Sequence, residues 1–113
     1  MMETVLHDDP RIEVNESQQR FEARVGSELA FISYLLKDDE LVLVHTEVPT
    51  PLEGQGLAGK LARASLDYAR EKGLRVIPLC PFVASYLRRH EEYHNLIHPA
   101  YLKRLLQDEA SAH

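Results

Sequence analysis

The sequence predicts an α+β fold: an antiparallel meander, then a β-loop-α-β unit with one parallel strand pair, then C-terminal helices. Two observations support this prediction. Polar and apolar residues alternate between short turns in the first half of the chain, and the spacing becomes helical after a glycine-rich run from Glu53 to Gly59. A chain of 113 residues has the length of one domain, so residues 1–113 are expected to form a single domain. The ends, residues 1–10 and 109–113, are expected to be flexible.

The meander is predicted from alternating runs that are joined by turn signals. Phe21, Ala23 and Val25 share one face of the first full strand. Gly26-Ser27 and Lys37-Asp38-Asp39 are turn sequences, so successive strands should form hairpins. The predicted strands are Gln19 to Val25, Leu29 to Leu36 and Glu40 to Val48, after a short alternating run from Arg11 to Asn15.

The β-loop-α-β unit begins with a helix predicted from Leu57 to Lys72. Apolar and small residues recur there at three- and four-residue steps, which suits close packing against a sheet; they are Ala58, Leu61, Ala62, Ser65, Leu66 and Ala69. Gly73 fits the position that ends a helix. The apolar run from Leu74 to Cys80 then predicts a buried strand. Because a crossover helix precedes it, this strand should lie parallel to the one that ends at Val48.

The remaining chain predicts helices. Pro81 suits the first position of a helix that continues from Phe82 to Arg89. Pro99 can open a last helix that runs to about Asp108. Residues 91–95, between these two helices, fit no single element.

Composition excludes several classes of partner. The net charge is −5 and no basic cluster is present, which argues against nucleic acid. No apolar stretch approaches the roughly 18 residues of a membrane span. Residues 1–10 are polar and acidic, unlike a signal peptide. The lone cysteine, Cys80, excludes an internal disulfide and fits a reducing compartment, so a cytoplasmic protein is expected.

The glycine-rich run lies where a strand passes into a helix. Gly54, Gly56 and Gly59 allow the backbone to approach a ligand closely, and the start of a helix favours an anion. The run therefore favours a phosphate site. The alternative is a tight connection in which the glycines only relieve steric strain. Glu53 is a carboxylate beside this run, and it should point outward from a phosphate site.

These residues carry a resemblance to a known family. Gly54-Gln55-Gly56-Leu57-Ala58, after the strand that ends in Thr46-Glu47-Val48-Pro49, resembles the acetyl-CoA-binding motif of the GNAT acetyltransferase superfamily, Gln/Arg-x-x-Gly-x-Gly/Ala. Gly56 and Ala58 match its last two fixed positions, and Glu53 departs from its first. The stretch from Pro78 to Tyr93 is similar to that of very small, single-domain GNAT-like proteins.

The resemblance implies a minimal GNAT-like fold and an N-acetyltransferase that uses acetyl-CoA without a metal. The strands ending near Val48 and starting at Leu74 would splay, and the pantetheine arm would lie between them. A backbone N–H near Val48 would polarise the thioester carbonyl, and a primary amine would attack it. The backbone amides that would hold the pyrophosphate belong to Gln55, Gly56, Leu57, Ala58 and Gly59.

Three further side chains are candidates for catalysis. Cys80 precedes a helix start, where thiolates are favoured, so it could accept the acetyl group or could only line the pocket. His45 and Glu47 lie two residues apart on one strand and could form a general base. Leu41 and Leu43 are expected to continue their face, with Thr46 on the opposite face in a structural role.

The segment after the parallel strand holds the last candidates. The family often places a tyrosine here to protonate the leaving thiolate, which makes Tyr86 a candidate acid. His90 and His94 have a spacing that could suit a metal, but no third ligand accompanies them. Arg88 and Arg89 could contact the 3′-phosphate of coenzyme A or form a solvated helix face.

Two other functions stay open. The chain could bind acyl-CoA without turnover, because its brevity leaves little sequence for an acceptor site. It could also be an interaction domain without a ligand. The amine acceptor, a small molecule or a protein lysine or N-terminus, is not specified by the sequence. A homodimer could form through a sheet edge or the last helix.

Overall fold

The computed structural model describes the backbone of residues 11–111 and the side chains of residues 11–107. Two short 3-10 helices lie at Thr50–Leu52 and Glu91–Leu96. The expected flexibility of residues 1–10, 112 and 113 concerns residues outside this part. The strands and α-helices are β1 (Ile12–Asn15), β2 (Arg20–Val25), β3 (Glu28–Lys37), β4 (Glu40–Glu47), α1 (Leu57–Lys72), β5 (Arg75–Pro78), α2 (Pro81–Arg89) and α3 (Pro99–Ser111).

The strands form one sheet in the order β1-β2-β3-β4-β5. Neighbours from β1 to β4 are antiparallel, whereas β4 and β5 are parallel, with Glu40 opposite Arg75 and Leu43 opposite Pro78. Strands β4 and β5 are parallel because α1 carries the chain back to the end of the sheet at which β4 begins. The predicted α+β fold, with its meander, parallel pair and C-terminal helices, is confirmed.

Left-handed backbone closes two of the predicted turns. Gly26 has a φ of +61° and Asp38 a φ of +58°. Glycine adopts this region without steric cost, and aspartate tolerates it because its short polar side chain can bond to nearby backbone. The turn chemistry therefore sets the two hairpins that join β2 to β3 and β3 to β4.

Helix α1 has the bounds that the sequence predicts and covers one face of the sheet. It contacts β2, β3 and β4, and α2 packs beside it. Its buried residues are Leu57, Leu61, Ala62, Ser65, Leu66 and Ala69. The helix ends at Gly73, which has a φ of +69°, and the N–H of Leu74 donates to the carbonyl of Ala69 at 2.8 Å. This pattern of bonds is typical of a glycine-terminated helix.

The C-terminal segment is longer and more regular than predicted. The 3-10 helix over residues 91–96 fills the segment to which no element was assigned. Ile97 then forms an isolated parallel bridge with Val76, and His98 N–H donates to the Val76 carbonyl at 2.9 Å. Helix α3 contacts α2, buries Leu105 and ends at Ser111, beyond the predicted end near Asp108.

Strand β4 contains one residue more than the matching part of β3. Ser33 pairs with His45, but the next residue, Tyr34, pairs with Leu43. Val44 is the extra residue between these two pairs and forms a β-bulge. Since successive side chains of a strand alternate between faces, a bulge changes the face of every residue beyond it.

The bulge keeps Thr46 on the core face of the sheet. Leu41 and Leu43 are fully buried on this face before the bulge. After it, Thr46 is the residue opposite Ile32, which is also fully buried. Leu41, Leu43 and Thr46 therefore share the helix-covered face of β4. His45 and Glu47 lie on the opposite face.

The 3-10 helix at Glu91–Leu96 is held against α1 by a side-chain hydrogen bond. The Tyr93 hydroxyl donates to the Asp67 carboxylate at 3.0 Å. Burial, followed by the bond to Asp67 and its charge, raises the pKa of Tyr93 above its usual value near 10. The folded state thus retains the phenol proton to higher pH than the unfolded state. This stability is fully present below about pH 10 and is lost as the pH rises through the folded-state pKa.

We expect Tyr93→Phe to lower the free energy of unfolding by about 1 kcal/mol at pH 7, because one net hydrogen bond is lost while Asp67 stays solvated. Above about pH 10 the gap between the two proteins should narrow, since phenylalanine has no proton to lose. Urea unfolding followed by circular dichroism from pH 7 to pH 11 measures both effects. A gap that stays constant over this range would contradict the assigned role of the phenol.

Candidate active site

Strands β4 and β5 separate immediately after Leu43. The last ladder pair is Leu43 with Pro78, and the N–H groups of Leu79 and Cys80 both donate to the Leu43 carbonyl, at 3.0 and 2.9 Å. Strand β4 continues to Glu47 alongside β3, whereas the chain after Cys80 turns into α2. The sheet therefore opens between the end of β4 and the start of α2.

The connection from β4 to α1 supplies backbone amides at the mouth of this opening. Gly54 and Gly56 have φ values of +83° and +76°, in the left-handed region that favours glycine. Gly56 is the N-cap of α1 and makes no side-chain capping bond, and the first turn of the helix contains no acidic residue. In any helix the first N–H groups have no intrahelical acceptor and favour an anion.

The hydrogen bonds within the connection leave its glycine part open. Leu52 and Glu53 donate to the carbonyls of Pro49 and Thr50, at 2.8 and 3.1 Å, and close the 3-10 turn. The first intrahelical bond of α1 runs from Lys60 N–H to the Gly56 carbonyl at 3.1 Å. These hydrogen bonds use the amides of Leu52, Glu53 and Lys60, which lie on both sides of the stretch from Gly54 to Gly59.

A cleft of about 260 Å³ lies between the glycine connection and the start of α2. Its lining combines the predicted cofactor residues with apolar side chains from both sides. The lining residues are Val48, Leu52, Glu53, Gly54, Gly56, Leu57, Ala58, Gly59 and Phe82. Five of the six predicted cofactor residues are in this set; the sixth, Gln55, is exposed, and its side chain donates to the Pro51 carbonyl at 3.3 Å.

Leu52, Phe82 and Glu53 line the cleft although the sequence analysis assigned none of them to ligand binding. Leu52 is buried in the 3-10 turn and Phe82 lies in the first turn of α2. Their signal in the sequence was weak, because a single apolar residue beside a proline has no periodicity. Glu53 borders the cleft and is exposed to solvent, so the outward direction of its carboxylate stays a prediction.

His45 and Glu47 come together, but on the face opposite to the one predicted. Their side chains lie 3.3 Å apart, from Nε2 to Oε1, and are 59% and 61% exposed. The expectation that Leu41 and Leu43 continue their face was wrong, because the bulge at Val44 intervenes. The pair lies on the face that α1 leaves uncovered, and the His45 ring meets the ring of Phe31 edge-on at 6.3 Å.

Thr46 and Cys80 meet across the opening in the sheet. Thr46 Oγ1 and Cys80 Sγ are 3.0 Å apart, and Cys80 is only 2% exposed. Cys80 is also the N-cap of α2, without a side-chain bond to the helix amides. The threonine that was expected to be structural is thus the hydrogen-bond partner of the candidate nucleophile.

Tyr86 lies between α1 and α2 rather than in the cleft lining. Its ring stacks on His90 with centroids 4.0 Å apart and is 6.4 Å from the ring of Phe82. Burial raises the pKa of Tyr86, and nearby Arg63 partly opposes this shift. Tyr86 is therefore protonated at neutral pH and lies one helical turn from the cleft.

The two histidines that suggested a metal pair have other contacts. His94 Nε2 is 2.6 Å from the Leu87 carbonyl, and His90 Nδ1 is 3.4 Å from a Glu92 oxygen. Across residues 11–107, no group of three or more histidine, cysteine, aspartate or glutamate side chains could hold a metal ion. Arg89 donates to the Ser85 hydroxyl at 3.0 Å on the exposed side of α2.

None of the helices in the described part of the chain has the length and apolar character needed to cross a membrane. The geometry combines the backbone amides at the start of α1, an apolar cleft and a thiol at the end of a split between parallel strands. This arrangement can hold a phosphate-bearing ligand with an extended arm directed toward the split.

Comparisons with known proteins agree with this geometry. Residues 20–96 match the family model described as GCN5-related N-acetyl-transferase. Protein NATD1 of Mus musculus is 31% identical over 98 residues, which cover 84% of each chain, and Protein NATD1 of Xenopus tropicalis is 30% identical over the same length. The solution structure of a GCN5-like protein from Staphylococcus aureus superposes with a TM-score of 0.61 at 29% identity, covering 77% of this chain and 88% of that one.

Proposed function

Because this chain belongs to the GCN5-related N-acetyltransferase family, we propose that it transfers the acetyl group of acetyl-CoA to a primary amine. The observation that carries the proposal is the cleft between the glycine connection and α2, which ends where β4 and β5 separate. The acceptor is a small-molecule amine or the lysine or N-terminal amine of a protein. The net charge of −5 favours a cationic acceptor of this kind.

In this proposal the backbone amides from Gln55 to Gly59 bind the diphosphate of coenzyme A. The left-handed glycines turn the chain so that a ligand can approach the amides closely, and the start of α1 adds a favourable field. Leu52 and Phe82 then contact the pantetheine arm, since both line the same cleft. The N–H of Val48 polarises the thioester carbonyl, a contribution of about 3 kcal/mol per donor in characterised enzymes.

In the proposed reaction, donor and acceptor reach each other from opposite faces of the sheet, through the opening between β4 and β5. The donor lies on the helix-covered face with Thr46 and Cys80, and the acceptor approaches from the face of His45 and Glu47. His45, oriented by the Glu47 carboxylate, accepts the proton of the attacking amine. Their exposure suits this role, because the base must reach an acceptor that comes from solvent.

Cys80 has the place of a nucleophile in the proposed reaction. Its thiolate attacks the thioester carbonyl, the bond from this carbon to the sulfur of coenzyme A breaks, and the released thiolate is protonated. The amine then attacks the acetyl carbon and the bond from this carbon to the Cys80 sulfur breaks. His45 takes the amine proton, the N-acetylated amine leaves, and the Cys80 thiolate is restored. Tyr86 is the proposed proton donor to the leaving thiolate. Because Tyr86 does not line the cleft, a water is the proposed relay, and Tyr86 regains its proton from solvent.

Calorimetry with coenzyme A, followed by a thiol-release assay with acetyl-CoA and a panel of amines, tests the proposal. We expect binding and amine-dependent thiol release. Binding without release across the panel would instead show an acyl-CoA-binding module. An interaction domain without a ligand would show no binding even at millimolar concentration.

A change at Glu53 tests the electrostatics of the cleft. Glu53→Gln should strengthen coenzyme A binding by about threefold at low salt, because an exposed carboxylate beside the cleft repels the diphosphate. The gain should shrink at high salt, where exposed charges are screened. Glu71→Gln is the matched control, since Glu71 is exposed near the other end of α1 and should leave the affinity unchanged. An equal gain in both variants would show only the effect of net charge.

A further inference from the structure

The inner end of the cleft has a definite boundary. The cleft lining reaches Val48, the first residue after β4, and Phe82, in the first turn of α2. Two residues before each of these, on the way toward the parallel ladder, lie Thr46 and Cys80. Their side chains meet at 3.0 Å and bridge the split at the level where the cleft stops.

The bulge at Val44 is what makes this bridge possible. Without it, the side chain of Thr46 would lie on the other face of the sheet. Cys80 is held from its own side by the bond from its N–H to the Leu43 carbonyl and by the bond from Ala84 N–H to its carbonyl, at 2.9 and 3.0 Å. Thr46 is held by its pairing with Ile32 in the β3–β4 ladder, so the backbone of both members of the bridge is fixed.

We propose that the contact between Thr46 and Cys80 is the end wall of the donor site and limits the length of the acyl group that the protein accepts. This inference rests on the proposed function, because it places the thioester end of the ligand between Val48 and Phe82. A ligand whose diphosphate lies at Gly56 to Gly59 and whose arm follows the cleft directs its acyl group at this wall. An acetyl group fits in front of it, and a longer chain meets a hydroxyl and a thiol.

The closed end of the cleft sets this limit. The cleft has a volume of about 260 Å³ and is open to solvent along one side, so the side chains at its inner end, not its volume, restrict the acyl group. One methylene group too many changes recognition in an enzyme pocket by about 10- to 200-fold. Thr46 and Cys80 are therefore specificity-determining residues. This role does not depend on whether Cys80 also acts as a nucleophile.

The test is calorimetry of the full chain, without an acceptor, with analogues of acetyl-CoA, propionyl-CoA, butyryl-CoA and hexanoyl-CoA in which a methylene group replaces the thioester sulfur, so that no acyl group can pass to Cys80. We expect the parent to bind the butyryl analogue at least about tenfold more weakly than the acetyl analogue. Thr46→Ala removes the hydroxyl and methyl groups of the wall and should reduce this ratio to about threefold or less. Thr46→Val keeps the volume of the side chain and should keep the ratio of the parent.

Thr50→Ala is the matched control, because Thr50 is exposed in the same connection and does not line the cleft. Its ratio should equal that of the parent. Equal binding of all four analogues to the parent would overturn the inference and leave the proposed function in place. A ratio unchanged by Thr46→Ala, or lowered as much by Thr46→Val, would overturn it as well. Failure of every analogue to bind would overturn the proposed function itself.

Discussion

Replacing Gly59 by alanine is expected to weaken coenzyme A binding by about tenfold while making the protein more stable. Gly59 lies in the first turn of α1 and lines the cleft. A Cβ at this position would have one neighbour within 4 Å, a Tyr86 ring carbon at 3.8 Å, which is an ordinary contact. The protein itself therefore has room for alanine, and alanine favours the helix by up to about 1 kcal/mol.

The expected loss of affinity comes from the ligand alone. If backbone at Gly59 contacts the diphosphate, a methyl group there takes up ligand space, and overpacking of this kind costs about 1–3 kcal/mol. Gly73→Ala is the matched control. Alanine is strained at Gly73 because the backbone there has a φ of +69°, and it meets no clash, because no atom lies within 4 Å of the Cβ position. Gly73 does not line the cleft.

The two glycine variants should thus have opposite effects. Gly59→Ala should raise the Tm and weaken binding, whereas Gly73→Ala should lower the Tm by about 4–8 °C and leave binding unchanged. Differential scanning calorimetry and isothermal titration with coenzyme A measure the two quantities on the same samples. Unchanged affinity in Gly59→Ala would remove the support for a diphosphate site at the start of α1.

Cys80→Ala is expected to lower acetyl transfer by about a hundredfold or more while coenzyme A binding stays within about twofold of the parent. The thiol is the proposed acceptor of the acetyl group, and its removal leaves only direct attack by the amine. The cleft lining does not include Cys80, so the binding surface for the arm is kept. Turnover assays and titration calorimetry measure the two effects.

The acetyl-cysteine itself can be observed directly. Cys80 is the only cysteine of the chain, so an acetylated thiol has one possible position. Intact-protein mass spectrometry after treatment with acetyl-CoA, without an acceptor, should show one added acetyl group in the parent and none in Cys80→Ala. Transfer within a few-fold of the parent in Cys80→Ala would show that the amine attacks the thioester directly and that Cys80 only closes the cleft.

The elements of the fold were predictable because each has a local signal. The bounds of α1 follow from its apolar spacing and from Gly73, and the parallel pair follows from the crossover through this helix. The 3-10 helix at residues 91–96 was not predictable in the same way. Its shape depends on tertiary contacts, such as that between Tyr93 and Asp67, which leave no periodic pattern in the sequence.

The candidate site was predictable in its backbone part and less so in its side chains. The glycine connection is recognisable from its composition, and all of its residues except Gln55 line the cleft. The faces of His45 and Thr46 were assigned by simple alternation, which fails at Val44. One signal for the bulge was present: the apolar positions Leu41 and Leu43 are odd-numbered, whereas Val48, which packs against the core, is even-numbered.

The extra residue in β4 has a consequence for any redesign of this chain. Deleting Val44 would restore an uninterrupted ladder with β3 and leave His45 opposite Ser33 and Thr46 opposite Ile32, so both side chains would keep their faces. A bulge bends its strand and increases the local twist, so the deletion would straighten the end of β4 where it leaves β5. A single-residue deletion far from any ligand contact would thereby change the shape of the opening without changing which side chains border it.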